Sequence, residues 1–248
     1  MEIKNKTILI TGAASGLGAA TARELSQRGA KTLLLDMNIA AVKKIASEIN
    51  GIAFECDVTS ENAVKQVLSQ CTEIHAVINC AGIVHGARLV GKQGAMPLDD
   101  FSRIIHINLI GTFNVMRLCA EKMSLQNTLD GDGERGVIIN TASIAAFEGQ
   151  IGQVAYSASK GGVVAMTLPA ARELSRFGIR VMTIAPGVMQ TPMMASLPSD
   201  AQTALAADIP FPKKLGDPKN FAKLCAHIIE NNYLNGETIR LDAALRLK

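Results

Sequence analysis

TILITGAASGLG, residues 7–18, decides the fold. Five residues of strand character run straight into a turn with glycines at positions 12, 16 and 18, and a helical pattern follows at once. A strand that turns this tightly into a helix leaves the first N–H groups of the helix facing the turn, and glycine lets a bound group approach the backbone. Such a turn can hold a diphosphate. Glycines also serve tight strand–helix connections, so the surroundings must carry the assignment.

Working outward, six more apolar runs repeat the strand signal: KTLLLD (31–36), IAFEC (52–56), IHAVIN (74–79), GVIINTAS (136–143), IRVMTIAP (179–186) and ETIRL (237–241). Helical stretches near 17–29, 39–49, 60–70, 98–124, 154–177 and 218–231 separate them. Continuous apolar strands spaced by helices predict a parallel sheet covered on both faces. The expectation is an α/β, doubly wound, seven-stranded sheet of the Rossmann type, in one domain over residues 1–248.

Two segments interrupt the rhythm. HGARLVGKQGAMP (85–97) is polar and glycine-bearing and predicts an insertion beside the fourth strand. Residues 186–218 hold six of the eight prolines and carry Met189, Met193, Met194 and Leu197, which predicts an apolar lid over a substrate. Pro169 falls inside the helix expected over 154–177 and predicts a kink.

Composition narrows the function. With 48% hydrophobic and 19% charged residues the chain can bury a large core. A net charge of +3 with scattered basic residues argues against a nucleic-acid partner. Five cysteines without a C-x-x-C pair, and four isolated histidines, predict neither a disulfide framework nor a metal site. The first strand starts by Thr7, and no apolar run approaches the ~20 residues of a membrane span, so a soluble, cytoplasmic protein is expected.

Asp36 ends the second strand, where a carboxylate can accept hydrogen bonds from a ribose and repel the extra phosphate of NADP. Ser15 in the glycine turn and the lack of a basic neighbour beside Asp36 favour NAD. Asp36 could alternatively cap the next helix. Asp57 and Val58 follow the third strand, and Asn79, Cys80, Ala81 and Gly82 follow the fourth, along the sheet edge where ligands of such folds bind.

The chemistry points to IGQVAYSASKGG (151–162). Tyr156 and Lys160 share a helix face, with Cβ atoms ~6 Å apart. A tyrosine is a poor base at neutral pH, but a neighbouring ammonium favours its phenolate. The spacing alone is not specific. Ser143, ending the fifth strand, can bind a carbonyl or alkoxide oxygen in the same cleft. Asn108 places an amide in an apolar helical face, which is costly unless hydrogen-bonded.

Together TGAASGLG, the Asn79–Gly82 turn, Asn108, Ser143, YSASK (156–160) and PGVMQTP (186–192) resemble the short-chain dehydrogenase/reductase family over essentially the whole chain. NCAGI (79–83), GTFNVMRL (111–118), RGVIINTASIAAFEGQ (135–150), VMTIAPG (181–187), FPKKLGDP (211–218) and NGETIRLD (235–242) are similar to its branch acting on 3-hydroxyacyl-CoA thioesters. The resemblance implies Tyr156 as general acid/base and Lys160 as the cation that lowers its pKa and holds the nicotinamide ribose. Ser143 would orient the reacting oxygen, and Asn108 would support a water relay to Lys160.

For NAD the resemblance implies Ser15, Leu17, Asp36, Asp57, Val58, Cys80, Met189 and Thr191, beside Gly12, Gly16, Gly18, Asn79, Ala81, Gly82, Tyr156, Lys160 and Pro186. Gln153 joins Ser143 and Tyr156 toward the substrate. A homotetramer is implied, with helices 98–124 and 154–177 pairing between subunits. Cys80 stands where many members have a second asparagine, and Ala243 where glycine is usual. The alternatives are a hydroxysteroid or other secondary alcohol, an acyl-carrier-protein thioester, or a non-catalytic NAD-binding scaffold.

Overall fold

The computed structural model describes residues 1–195 and 199–247. The elements are β1 (Thr7–Thr11), α1 (Gly16–Gln27), β2 (Lys31–Asp36), α2 (Ile39–Ile49), β3 (Ile52–Glu55), α3 (Glu61–Ser69) and β4 (Ala76–Asn79). A short ribbon, β5 (Val90–Gly91) and β6 (Gly94–Ala95), precedes α4 (Leu98–Ile105), α5 (Gly111–Ser124), β7 (Gly136–Thr141) and α6 (Val154–Leu174). Then come β8 (Ile179–Pro186), α7 (Pro192–Ala195), α8 (Ser199–Ala207), α9 (Pro218–Glu230) and β9 (Thr238–Leu241).

Among the described residues seven strands form one sheet in the order β3-β2-β1-β4-β7-β8-β9, every neighbouring pair parallel. Alternation along each strand fills both faces. Leu9, Val77, Ile138 and Val181 pack toward α3 and α5, while Ile8, Ile10, Ile78 and Ile184 pack toward α1, α2 and α9. These side chains are fully buried, each stabilising the fold by about 1.5–3 kcal/mol relative to exposure. Helix starts are chemically marked: Asn38 caps α2, Ser60 caps α3, and Asp217 followed by Pro218 opens α9.

One expectation changes. The stretch 98–124 is not one regular helix, because residues His106–Ile110 form a π-helical turn between α4 and α5, centred on Asn108. α6 runs through Pro169 and stays helical on both sides. Leu197, placed in the lid from sequence, lies outside the described residues. Among the described residues no helix is long and apolar enough to cross a membrane, and all five cysteines are free thiols.

The sheet order reverses between β1 and β4. There the chain leaves one half of the sheet for the other, and a crevice opens beyond the strand ends.

Candidate active site

That crevice is a cleft of about 610 Å³ lined by Gly12, the Ser15–Gly18 turn, Asp36, Asp57, Val58 and the Cys80–Gly82 turn. Gly12 has φ +64°, and a Cβ there would lie 2.8 Å from the Ala81 nitrogen. A Cβ on Gly18 would lie 2.3 Å from the Gly12 carbonyl oxygen. No larger residue fits either place. Thr11 Oγ1 fixes the opposing turn by accepting the Cys80 and Ala81 N–H groups, both at 3.1 Å.

Asp36 does not cap α2. Its Oδ2 accepts the Ala14 N–H at 3.0 Å and its Oδ1 the Asn38 N–H at 2.9 Å, while Asn38 provides the cap. Each carboxylate oxygen keeps a lone pair for another donor. Ser15 makes no capping bond at the start of α1, and that first turn holds no acidic side chain. The donors, the absent side chains and the carboxylate fit a nicotinamide dinucleotide. Val58 is braced from behind, its carbonyl accepting Asn114 Nδ2 at 2.8 Å.

A second cleft of about 510 Å³ continues from the first, sharing Leu17, Cys80, Gly82, Ile83, Thr191 and Met193. It contains Ser143, Gln153, Tyr156, Lys160, Pro186 and Met189. Ser143 Oγ accepts the Ala145 N–H at 3.1 Å, which leaves its O–H free to donate. The Gln153 side-chain oxygen accepts the Gln150 N–H at 2.9 Å, so its amide offers N–H donors.

Two predicted residues lie behind the clefts. Asn79 is buried and donates from Nδ2 to Asn140 Oδ1 at 2.9 Å, tying β4 to β7 instead of lining the crevice. Asn108, also buried, accepts the Ile83 N–H at 2.8 Å and donates to the Ile83 carbonyl at 2.9 Å and to Ser159 Oγ at 3.1 Å. Ser159 in turn donates to the Tyr156 carbonyl at 2.7 Å. The π turn thus clamps the loop after β4 to the first turns of α6. Ser159 was not singled out from sequence, although its place three residues after Tyr156 was the available signal.

Lys160 Nζ donates to the Thr141 carbonyl at 2.7 Å and lies 5.9 Å from the centre of the Tyr156 ring. Burial pushes the Tyr156 phenol above its ordinary pKa, and a hydrogen bond with Ser143 works against that rise. The lowering expected from Lys160 is not seen: burial sets the direction, and Ser143 is the group that opposes it. Burial also pushes the Cys80 thiol up to about 12, which keeps it protonated and unreactive.

Burial pulls the Lys160 ammonium down from 10.5 to about 8. A cation whose folded value lies below its unfolded one destabilises the fold below about pH 8, and the penalty fades as pH rises toward 10.5. Wild type should therefore gain about 3 kcal/mol of stability relative to Lys160→Met across that window. Denaturant unfolding of both proteins between those pH values checks it; parallel pH dependences would contradict it.

The chain belongs to the short-chain dehydrogenase family, whose model matches residues 6–202. It is an oxidoreductase that uses a nicotinamide cofactor on a small-molecule substrate. Over its full length it is 51% identical to 3-hydroxyacyl-CoA dehydrogenase type-2 of Bos taurus, covering 97% of that protein. It is 49% identical to the protein of the same name from Drosophila melanogaster, with 99% of each chain covered. The crystal structure of 3-hydroxyacyl-CoA dehydrogenase type-2 from Mycobacterium avium superposes with a TM-score of 0.93 at 39% identity, covering 100% of this chain and 98% of that one.

Proposed function

We propose that this protein oxidises 3-hydroxyacyl-CoA to 3-oxoacyl-CoA with NAD, and catalyses the reverse reduction. The observation that carries the substrate class is the likeness to the type-2 dehydrogenases, which spans the whole chain and includes both walls of the second cleft. NAD, not NADP, is supported by Asp36, which lines the first cleft beside the uncharged Met37.

In this account Tyr156 removes the hydroxyl proton in the oxidation and returns it in the reduction. Ser143 donates its O–H to the reacting oxygen and stabilises charge that develops there. The Gln153 amide donates to the thioester carbonyl. Lys160, Pro186, Met189 and Thr191 would hold the nicotinamide end of the cofactor, which would supply the hydride chemistry. Bringing an ordinary tyrosine near neutrality takes about 4 kcal/mol of differential stabilisation, and burial adds to that; Lys160 and Ser143 are the protein groups placed to oppose it. Asn108 and Ser159 work through others, fixing Ile83 and the start of α6. Gly82 leaves room for Asn108 and Lys160: a Cβ there would lie 3.2 Å from Asn108 Oδ1 and 3.5 Å from Lys160 Nζ.

The domain is proposed to be single, with the 85–97 ribbon and the 186–218 segment framing the substrate. The Ala87 N–H bonds the Gly152 carbonyl at 2.9 Å, which supports the ribbon's place at the cleft edge. A homotetramer is supported by the apolar groove between α5 and α6, where Phe113 and Pro169 face outward.

Turnover should be measured with NAD and NADP on 3-hydroxyacyl-CoAs, hydroxysteroids and an acyl-carrier-protein thioester. Oxidation of the CoA thioesters with NAD is expected. Oxidation of steroids alone, or a requirement for NADP, would overturn the assignment.

A further inference from the structure

Three charged side chains at the end of β9 and just after it, Arg240, Asp242 and Arg246, join Glu148 from 92 positions earlier in the sequence. Arg240 holds Glu148 with two guanidinium nitrogens, Nη1 at 2.9 Å and Nη2 closer. Its Nε donates to Asp242 Oδ2 at 2.7 Å and its Nη2 to the Leu245 carbonyl at 3.2 Å. Arg246 adds bonds from Nη1 to Asp242 at 3.0 Å and to the Leu245 carbonyl at 2.7 Å. The Arg240 guanidinium also lies 5.0 Å from the centre of the Phe147 ring.

This network holds a turn that is unfavourable by itself. Ala243 and Ala244 have φ of +51° and +63°, a conformation that costs an L residue roughly 1–2 kcal/mol. Glycine would adopt it freely. Two consecutive alanines keep it only where the surroundings dictate the path. The turn also sits tightly on the first residues of the lid segment: a Cβ on Gly187 would lie 2.8 Å from Asp242 Cα.

The strained turn delivers two leucines. Leu245 is buried with Ile144 and Ile209, and Val188 and Leu247 pack against that cluster. Ile144 directly follows Ser143, and Leu247 lines the second cleft. The C-terminal segment is therefore a wall of the substrate cleft, made from a different part of the chain than the lid.

We propose that Leu247 is a specificity-determining residue that limits the acyl chain the cleft accepts, and that Glu148 and Arg240 are positioning residues that hold it in place. This rests on the acyl-CoA assignment above. Without the Glu148–Arg240 bonds the left-handed alanines can relax, and the wall retreats from Ile144. The Glu148 loop also leads back to Ser143, so a general loss of site order must be separated from a loss of chain-length selection.

The test is kcat and KM for wild type, Leu247→Ala, Leu247→Trp, Glu148→Gln and Arg240→Lys, on 3-hydroxyacyl-CoAs from butanoyl to dodecanoyl, with NAD titration of each variant. Leu247→Ala should raise the long-to-short ratio of kcat/KM by roughly tenfold, and Leu247→Trp should lower it by a similar factor. Glu148→Gln should shift the ratio as Leu247→Ala does, through KM, and Arg240→Lys should keep it closer to wild type. An unchanged ratio in both Leu247 variants overturns the specificity role. An equal fall at all lengths in Glu148→Gln overturns the positioning role.

The same variants are run on straight-chain secondary alcohols and hydroxysteroids. Wild-type turnover of these and of no thioester refutes the acyl-CoA assignment. A Leu247-dependent change of size preference within that series would still support the wall.

Discussion

Tyr156→Phe is expected to lower turnover by roughly a thousandfold while leaving NAD affinity within a few-fold of wild type. The substitution removes one oxygen and leaves the ring where it is, beside Lys160 and against the cleft wall. The cleft keeps its shape, but no other phenol is available: Tyr233, the second tyrosine, is exposed on the loop after α9. Ser143 can still bind the substrate oxygen, so binding should survive while proton transfer does not. Steady-state turnover together with NAD titration decides the matter. Turnover within tenfold of wild type would remove Tyr156 from its role. Loss of NAD binding alongside activity would assign it to the cofactor instead.

Asp36→Asn is expected to narrow the preference for NAD over NADP by about a thousandfold, the second of the large effects. The amide keeps the shape of the side chain but removes its charge. A hydrogen bond to a charged acceptor is worth about 1.5–3 kcal/mol, so two weakened ribose bonds lower NAD affinity by roughly a hundredfold. Loss of the negative charge also lifts the repulsion that opposes a 2′-phosphate. The Ala14 and Asn38 N–H groups now bonded to this carboxylate make the outcome visible in stability too. The ratio of kcat/KM for the two cofactors is the measurement. A ratio that stays within threefold of wild type would mean that selectivity arises elsewhere.

The fold was legible wherever burial alone decides structure. KTLLLD and IRVMTIAP coincide with β2 and β8 residue for residue, and 39–49 with α2, because strands buried on both faces and a capped amphipathic helix leave little freedom. The strand read over 74–79 starts at Ala76, since Ile74 lies in the connection before it and bonds Gln126. The ribbon at Val90–Ala95 was hidden, its two-residue exposed strands being too short to show alternation.

At the site, residue types were legible and partnerships were not. Asn108 was flagged by the cost of a buried amide, yet the π turn around it has no distinct apolar period. Its bonds to Ile83 and Ser159 join three separate segments. The four-residue spacing brought Lys160 near Tyr156 but could not show that its ammonium bonds Thr141. Asn79 carried the right residue type at the right edge, and its side chain turns into the sheet. LDAALRL gave no hint of a cleft wall, because Glu148, which anchors it, lies in a different motif.

The central claim is that hydride leaves C3 of a 3-hydroxyacyl-CoA for NAD while Tyr156 takes the proton. Turnover of 3-hydroxybutanoyl-CoA carrying deuterium at C3 tests this most directly, with the label followed by mass spectrometry. The account predicts deuterium in the NADH formed, one for each 3-oxoacyl-CoA released, and almost no label transfer with Tyr156→Phe. Unlabelled NADH, or recovery of the thioester unchanged after long incubation with NAD, would contradict it.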